Sequence, residues 1–140
     1  MKIKVINGPN LNMLGMRPKE HYGALTLNQI YELMKKEVSN DDMLIFFQSN
    51  SEGDIVTEIQ HSMNFDAIII NPAAYTHTSV AIRDALEIFP GKKIEVHLSD
   101  IKSREDFRKI NLISDVCDLT IMGLKEQGYV KAIKYLKTNK

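Results

Sequence analysis

The chain has 140 residues, of which 44% are hydrophobic and 26% charged, and this composition predicts one folded domain spanning residues 1–140. Its 18 basic and 18 acidic residues cancel, so nothing indicates a nucleic-acid partner or an anionic membrane surface. No apolar run approaches the roughly 20 residues of a membrane helix, and the N-terminus begins directly with a strand pattern. The single cysteine, Cys117, excludes an internal disulfide, and we expect it to be a buried structural residue of a cytoplasmic protein.

Strand patterns alternate with helix patterns along the chain. Apolar runs rich in β-branched residues predict strands at 2–6, 43–48, 66–71, 93–98 and 119–122. Apolar residues at helical spacing predict helices at 26–39, 53–63, 78–89 and about 104–113, and a last helix that runs to the C-terminus. Thr26 is the predicted N-cap of the first helix. The run at 43–48 is apolar almost throughout, so we expect it to be a buried strand.

Five strands alternating with helices predict an α/β fold whose parallel sheet is covered on both faces. At this length the leading candidate is a flavodoxin-like, doubly wound five-stranded sheet with the strand order 2-1-3-4-5. Ligands of such sheets bind outside the carboxyl ends of the strands. The segments NGPN, QSNSEG, NPAAYTH and HLSD would converge there, so we expect the functional site at this edge.

Glu95 and His97 end the fourth predicted strand. Side chains two apart on a strand point to the same face, so the carboxylate and the imidazole lie side by side, with Ser99 next in line. A lone histidine at a strand end is more often a structural hydrogen-bonding residue. The neighbouring carboxylate favours the charged imidazolium, however, and a histidine kept protonated near neutrality is a good general acid.

The densest polar segment is NPAAYTHTSVAIRD, residues 71–84. Helix capping alone explains the two hydroxyl residues that follow His77, but it does not explain Asn71 and His77 together. Exposed N–H groups at the start of a helix also suit an oxygen-rich ligand. Asp84 can be read as a solvated helix charge.

The loop LGMRPKEHYG, residues 14–23, is long for a connection between a strand and a helix. Loops of this length in compact domains are usually lids or binding loops. It carries Arg17 and Tyr22, and an arginine close to a tyrosine favours the phenolate, which is a usable base. Taken alone this pair is weak, since both residue types are common in mobile loops.

Other classes of site lack their signatures. His61, His77, His97 and Glu95 have no HxH or HExxH spacing, which argues against a metal site. NGPNLN is neither of the glycine-rich nucleotide-binding motifs. A flavin-dependent electron carrier would need a phosphate loop and aromatic stacking residues, and the chain has no tryptophan.

Four motifs in order, INGPNLNMLG (6–15), FFQSNSEG (46–53), NPAAYTHTSVAIRDAL (71–86) and EVHLSD with REDFR (95–108), resemble the type II 3-dehydroquinate dehydratases, or type II dehydroquinases. The resemblance covers nearly the whole chain. It implies the reversible dehydration of 3-dehydroquinate to 3-dehydroshikimate in the shikimate pathway, without a metal, a cofactor or a Schiff base. The alternative is a non-catalytic module of the same fold that binds a cyclic polyol acid.

The resemblance also implies catalytic roles at matching positions. Tyr22 would be the base that removes the proton α to the ketone, with Arg17 favouring its phenolate. Asn10 would help position a water that stabilises the enolate. His97 would protonate the departing hydroxyl group, with Glu95 maintaining the charge of the imidazole. An elimination β to a carbonyl needs a base, an enolate stabiliser and an acid, and each proton-transfer partner is typically worth about 10² to 10⁴ in rate.

Substrate-binding roles follow in the same way. Asn71, His77 and Arg108 would bind substrate hydroxyl groups, and Ser99 with the backbone N–H groups of Leu98 and Ser99 would hold the carboxylate. The family assembles as trimers packed into dodecamers, so the resemblance implies a homo-oligomer.

In such an assembly, Asp84 is expected to reach a neighbouring subunit's site.

The chain departs from the family pattern at Asp100, Lys102 and Ser103 and in the lid, which reads Arg17-Pro18-Lys19. An extra carboxylate at Asp100 could weaken binding of the substrate carboxylate.

Overall fold

A computed structural model describes residues 1–140 and has a five-stranded sheet at its centre, in the order β2-β1-β3-β4-β5. The strands are β1 (Lys2–Asn7), β2 (Met43–Gln48), β3 (Ala67–Asn71), β4 (Lys92–His97) and β5 (Leu119–Met122). Every neighbouring pair is parallel. The five predicted strands and the flavodoxin-like order 2-1-3-4-5 are therefore confirmed.

Helices cover both faces of the sheet, as a doubly wound fold requires. They are α1 (Lys19–Tyr22), α2 (Leu27–Lys35), α3 (Glu52–Gln60), α4 (Val80–Ile88) and α5 (Gln127–Thr138). Helices α2 and α5 bury their apolar residues on one face of the sheet, and α3 and α4 do so on the other. The longest helix, α5, has 12 residues, and none of the helices could span a membrane.

Helix α2 begins where the sequence predicts. The Thr26 hydroxyl accepts the Gln29 N–H at 3.2 Å, and the Gln29 side chain accepts the Thr26 N–H at 2.9 Å. This reciprocal capping box satisfies two N–H groups that a helix start otherwise leaves free. Thr26 is confirmed as the N-cap.

Strand β2 is not the buried strand that its apolar run predicts. It pairs only with β1 and forms one edge of the sheet, where Met43 and Ile45 are exposed. An apolar run shows that side chains can be buried, but it does not show how many neighbouring strands are present.

The predicted helix at 104–113 is wrong. This segment forms short 3-10 turns at Ile101–Ser103 and Asp106–Lys109, with a third at Ser114–Val116. Single local bonds close these turns, such as that from the Arg108 N–H to the Glu105 carbonyl at 2.9 Å, and between the second and third turns the Leu112 N–H donates to the distant Thr76 carbonyl at 2.9 Å. Cys117, which follows the third turn, is half-buried rather than buried, and burial raises the pKa of its thiol to about 12.

The carboxyl ends of β1, β3 and β4 lie at one edge of the sheet. Asn7 and Asn71, the last residues of β1 and β3, are direct partners in the parallel register. In this strand order the connections leave in opposite directions from β1 and β3, and ligands of open α/β sheets bind at such a point. The fold therefore brings the polar loops together at the predicted edge.

Candidate active site

A pocket with a volume of about 120 Å³ opens at this edge of the sheet. Its walls come from the loop after β1, the lid loop, the 3-10 turn after β3 and the segment after β4. The lining residues used below are Asn10, Arg17, Tyr22, Asn71, His77, His97, Leu98, Ser99, Arg104 and Arg108. The site is thus assembled from segments that are far apart in the sequence.

Glu95 and His97 form a buried pair at the end of β4. His97 Nε2 lies 2.5 Å from Glu95 Oε2, and the two residues are 4% and 0% exposed. Because a carboxylate only accepts, Nε2 must donate, which leaves Nδ1 of His97 as the nitrogen available to a ligand in the pocket.

The Glu95 carboxylate is held by two further donors. Asn111 Nδ2 donates at 2.9 Å and Thr120 Oγ1 at 2.8 Å. Burial by itself would raise the pKa of Glu95, but the hydrogen bonds from His97, Thr120 and Asn111 outweigh it, so the pKa lies below its usual range. Glu95 is therefore a charged partner for His97 at neutral pH.

Tyr22, the last residue of α1, lies between two guanidinium groups. Arg104 Nη1 donates to the Tyr22 hydroxyl at 2.6 Å, and the guanidinium carbon of Arg17 is 3.7 Å from the centroid of the Tyr22 ring. The lid begins and ends at Gly15 and Gly23, whose φ angles of 99° and 78° are ones that other residues rarely adopt. The fold thus places the Tyr22 hydroxyl next to the positive charges of Arg104 and Arg17.

Asn71 and His77 offer complementary hydrogen-bonding groups. His77 Nδ1 lies 2.6 Å from the Ile110 carbonyl oxygen, so Nδ1 carries a proton and Nε2 is an acceptor in the neutral imidazole. Burial lowers the pKa of His77 despite this bond, and the Arg108 charge adds to the effect. Asn71 Oδ1 accepts the Ala73 N–H at 3.0 Å, and one N–H of its amide has no partner within the protein. The pair can therefore accept from one hydroxyl group and donate to another.

Asn10 is held in an unusual backbone conformation. Its φ of 68° lies in the left-handed region, and its N–H donates to Asn50 Oδ1 at 3.0 Å. Asparagine tolerates this region better than most residues. Gly8, two residues earlier, allows the β1 and β3 loops to meet, because a Cβ there would lie 2.5 Å from the Pro72 carbonyl oxygen.

The pocket is cationic although the whole chain is neutral. Arg17, Arg104 and Arg108 line it, and no aspartate or glutamate does. Burial lowers the pKa of Arg17, Tyr22 opposes this effect, and the other two guanidinium groups add to it. An arginine still keeps its charge at neutral pH. The natural ligand of such a pocket is an anion with several oxygens.

All the predicted site residues except Glu95 and Asp84 line this pocket. Glu95 lies behind His97. Asp84 is exposed on α4 and lies outside the pocket. Asp100 also lies outside it, since its carboxylate accepts the Lys102 N–H at 3.1 Å and caps the following turn.

The main residue that sequence analysis missed is Arg104. Its side chain bonds both Tyr22 and, at 3.4 Å, the Ser99 hydroxyl. The motif REDFR after β4 contains both Arg104 and Arg108, four residues apart, and could have indicated both. The sequence analysis gives a role only to Arg108. Asn111 was also missed, because nothing local connects it with Glu95.

No three histidine, cysteine, aspartate or glutamate side chains come together anywhere in the chain as a candidate metal site. His61 lies at the end of α3 and does not line the pocket.

Comparisons with known proteins agree with the geometry. The model of the dehydroquinase class II family matches residues 1–137. The chain is 48% identical to the 3-dehydroquinate dehydratase of Clostridium beijerinckii over 143 aligned positions, which cover 100% of this chain and 98% of the relative. It is 44% identical to that of Thermotoga neapolitana over 138 residues, which cover 98% and 94%. The crystal structure of the type II dehydroquinase from Butyrivibrio crossotus has a TM-score of 0.94 and 45% identity, covering 98% of this chain and 97% of that one. The chain therefore belongs to the class II dehydroquinase family.

Proposed function

We propose that this chain is a 3-dehydroquinate dehydratase, a hydro-lyase of the shikimate pathway that removes water reversibly from 3-dehydroquinate to give 3-dehydroshikimate. The observation that carries the proposal is a tyrosine hydroxyl bonded by an arginine in the same pocket as a buried Glu95–His97 pair. These groups supply a base and an acid for an elimination β to a ketone.

Tyr22 acts as the base. Positive charge at Arg104 and Arg17 stabilises a phenolate at Tyr22, which removes the proton from the carbon α to the ketone. The electrons of that C–H bond pass into an enolate. Asn10, held by Asn50, positions a water that donates to the enolate oxygen.

His97 acts as the acid. As the enolate collapses, the bond between carbon and the leaving hydroxyl breaks, and Nδ1 of a protonated His97 delivers the proton that turns the hydroxyl into water. Glu95 keeps the positive charge on the imidazole. The proton taken by Tyr22 is then passed to His97, directly or by exchange with solvent water, which restores both groups. All these steps are carried by side chains and water, so we propose that the reaction needs no metal and no cofactor.

The remaining lining residues bind the substrate. Asn71, His77 and Arg108 bind its ring hydroxyl groups. Ser99 and the backbone N–H groups of Leu98 and Ser99 hold its carboxylate, and Arg104 adds positive charge beside Ser99.

Mixing the purified protein with 3-dehydroquinate in the presence of a chelator tests the proposal directly. The ultraviolet absorbance of the conjugated enone should rise, and borohydride in a parallel sample should trap nothing. Tyr22→Phe should lose about 10² to 10⁴ in kcat yet still bind substrate. Tyr135→Phe is the matched control, because Tyr135 lies on α5 outside the pocket and should keep full activity. Binding of 3-dehydroquinate without turnover by the unmodified protein would instead favour the non-catalytic module.

We also propose that the chain assembles as trimers packed into dodecamers in the cytoplasm. Val80, Asp84 and Ile88 are four residues apart on α4, so they form one exposed stripe with the carboxylate between two apolar side chains. An apolar surface of this kind supports contact with another subunit, whose pocket Asp84 would then reach.

A further inference from the structure

Four polar side chains form a continuous chain of hydrogen bonds that leads from the pocket into the opposite side of the protein. We call Asn71, Tyr129, Asn7 and Tyr31 the amide–phenol chain. Asn71 Nδ2 donates to the Tyr129 hydroxyl at 3.1 Å, the Tyr129 hydroxyl donates to Asn7 Oδ1, and Asn7 Nδ2 donates to the Tyr31 hydroxyl at 3.2 Å. None of the roles described above uses Tyr129, which is 0% exposed.

The donor-to-acceptor direction of the hydrogen bonds in the amide–phenol chain is fixed at its pocket end. The Ala73 backbone N–H can only donate, and it lies 3.0 Å from the Asn71 side chain, so the amide oxygen must face it. The amide nitrogen of Asn71 then faces Tyr129, whose hydroxyl must accept. Burial raises the pKa of Tyr129, so the phenol keeps its proton. Its O–H group therefore donates a hydrogen bond to Asn7 Oδ1.

The hydrogen bonds of the amide–phenol chain are buried, so bonds to water cannot easily replace them. Asn7 and Tyr129 are fully buried and Asn71 nearly so, so water does not substitute for a missing partner at these positions. Tyr31, at the far end, is partly exposed and stacks on Phe46 with ring centroids 3.9 Å apart. The Tyr31 hydroxyl is separated from Asn71 by Asn7 and Tyr129, whereas the Tyr129 hydroxyl bonds Asn71 directly.

We propose that Tyr129 is a positioning residue that locks the Asn71 amide as a hydrogen-bond donor towards the substrate. With Oδ1 held by Ala73 and one N–H held by Tyr129, Asn71 presents its second N–H to an oxygen of a ring hydroxyl group in the pocket. The inference rests on the proposed function, and it extends the site to α5, on the face of the sheet opposite the Glu95–His97 pair.

The first test compares Tyr129→Phe with Tyr31→Phe, two removals of a single hydroxyl from the same chain of bonds. Tyr129→Phe removes one of the two bonds that hold the Asn71 amide and leaves only the Ala73 N–H to orient it, so KM for 3-dehydroquinate should rise about tenfold, with a much smaller change in kcat, as for loss of one hydrogen bond in binding. Tyr31→Phe should change KM less than about twofold, since Asn71 keeps its bonds to both Ala73 and Tyr129. An unchanged KM in a folded Tyr129→Phe protein would overturn the proposal.

A second test separates positioning from general structural support. In an Asn71→Ala background, Tyr129→Phe should cause no further loss in kcat/KM, because the group through which it acts is gone. A residue that only supports the fold would lower kcat/KM by the same factor in both backgrounds, and that result would refute a role through Asn71. Urea unfolding of each variant shows how much stability is lost independently of activity.

A third measurement does not depend on turnover. In the unmodified protein, nitrogen-15 NMR distinguishes the two amide protons of Asn71. Adding 3-dehydroshikimate should shift the proton facing the pocket and leave the proton bonded to Tyr129 nearly unchanged. Equal shifts, or none while the compound binds elsewhere in the pocket, would overturn the inference even if Tyr129→Phe failed to fold. Absence of turnover by the unmodified protein would instead count against the proposed function.

Discussion

Replacing Glu95 with glutamine isolates the contribution of the buried negative charge. The shape is retained, but one of the two carboxylate oxygens becomes an NH₂ group. Glu95 Oε2 accepts from both His97 and Asn111, whereas Oε1 accepts only from Thr120. In the glutamine variant, an NH₂ group in place of Oε2 would face the donating Asn111 amide, so it should replace Oε1, where the Thr120 hydroxyl can accept from it. The amide oxygen then still accepts from His97, but the negative charge that favours the imidazolium is gone.

The size of the effect follows from burial. Breaking a buried ion pair by removing one partner costs about 3–5 kcal/mol, but here His97 can become neutral and the amide can keep its hydrogen bonds, so we expect a loss of roughly 2–3 kcal/mol. The protein should still fold, since domains have about 5–15 kcal/mol of stability. Loss of the proton donor should lower kcat by about 10² to 10⁴. KM should change little, because Glu95 does not line the pocket.

The contribution of Glu95 to the free energy of unfolding depends on pH, and its pKa shift gives the direction of this dependence. The pKa of Glu95 in the folded state lies below its unfolded value, so its contribution is fully present above the unfolded pKa and is lost as pH falls through the folded pKa. Urea unfolding should therefore give a higher free energy of unfolding for the unmodified protein than for Glu95→Gln, and this gap should be largest near neutral pH. The gap should narrow in acid.

Initial rates of enone formation measure the loss of activity. Thr120→Val is the matched control, because it removes one hydrogen bond to the same carboxylate and leaves the charge and the His97 contact in place. It should cost less than about tenfold in kcat. A folded Glu95→Gln variant with kcat within about threefold of the unmodified protein would show that His97 does not need the carboxylate.

Three further substitutions test other parts of the site. Gly8→Ala should lower the free energy of unfolding by about 1–3 kcal/mol and also lower kcat/KM, because the new Cβ would press on the Pro72 carbonyl between two site loops. Gly91→Ala meets the Asp66 carbonyl at the other end of the sheet, so urea unfolding should show a similar loss while kcat/KM is unchanged. Asn50→Ala should lower kcat about five- to tenfold without unfolding the protein, since it removes the bond that holds Asn10 and one further exposed bond from Gln48. Ile88→Lys should shift the assembly to smaller species in analytical ultracentrifugation, and an unchanged sedimentation profile would remove the α4 stripe as an interface.

The fold could be predicted largely because each strand and helix carries a local signal. A continuous apolar run locates β3, whose every residue is buried, and Thr26 as N-cap locates the start of α2. The 101–116 segment could not be predicted, since its turns are short and the residue between two of them, Leu112, bonds to the distant Thr76 carbonyl. Exposure of β2 depends on its place at the edge of the sheet, which a strand's own residues do not encode.

The site was predictable to the extent that its residues share a strand or a motif. Glu95 and His97 are two apart on β4, so their contact follows from strand geometry. The contact between Tyr22 and Arg104 joins residues 82 positions apart, and that between Asn71 and Tyr129 joins residues 58 apart. Such contacts depend on how the lid and α5 pack, and no local pattern reports them.

The arrangement of charge explains how a neutral chain can act on an anion. Arg17, Arg104 and Arg108 line the pocket, while Glu95, which bonds His97, and Glu105, which bonds Arg108, do not. In the proposed mechanism, a positive pocket attracts the substrate carboxylate and also stabilises the negative charge that develops on Tyr22 and then on the enolate. The same mechanism requires a positive His97 in this environment, where three guanidinium groups oppose a further charge. A buried carboxylate directly behind the imidazole is the arrangement that resolves this conflict, because it offsets the repulsion without placing a negative charge next to the substrate.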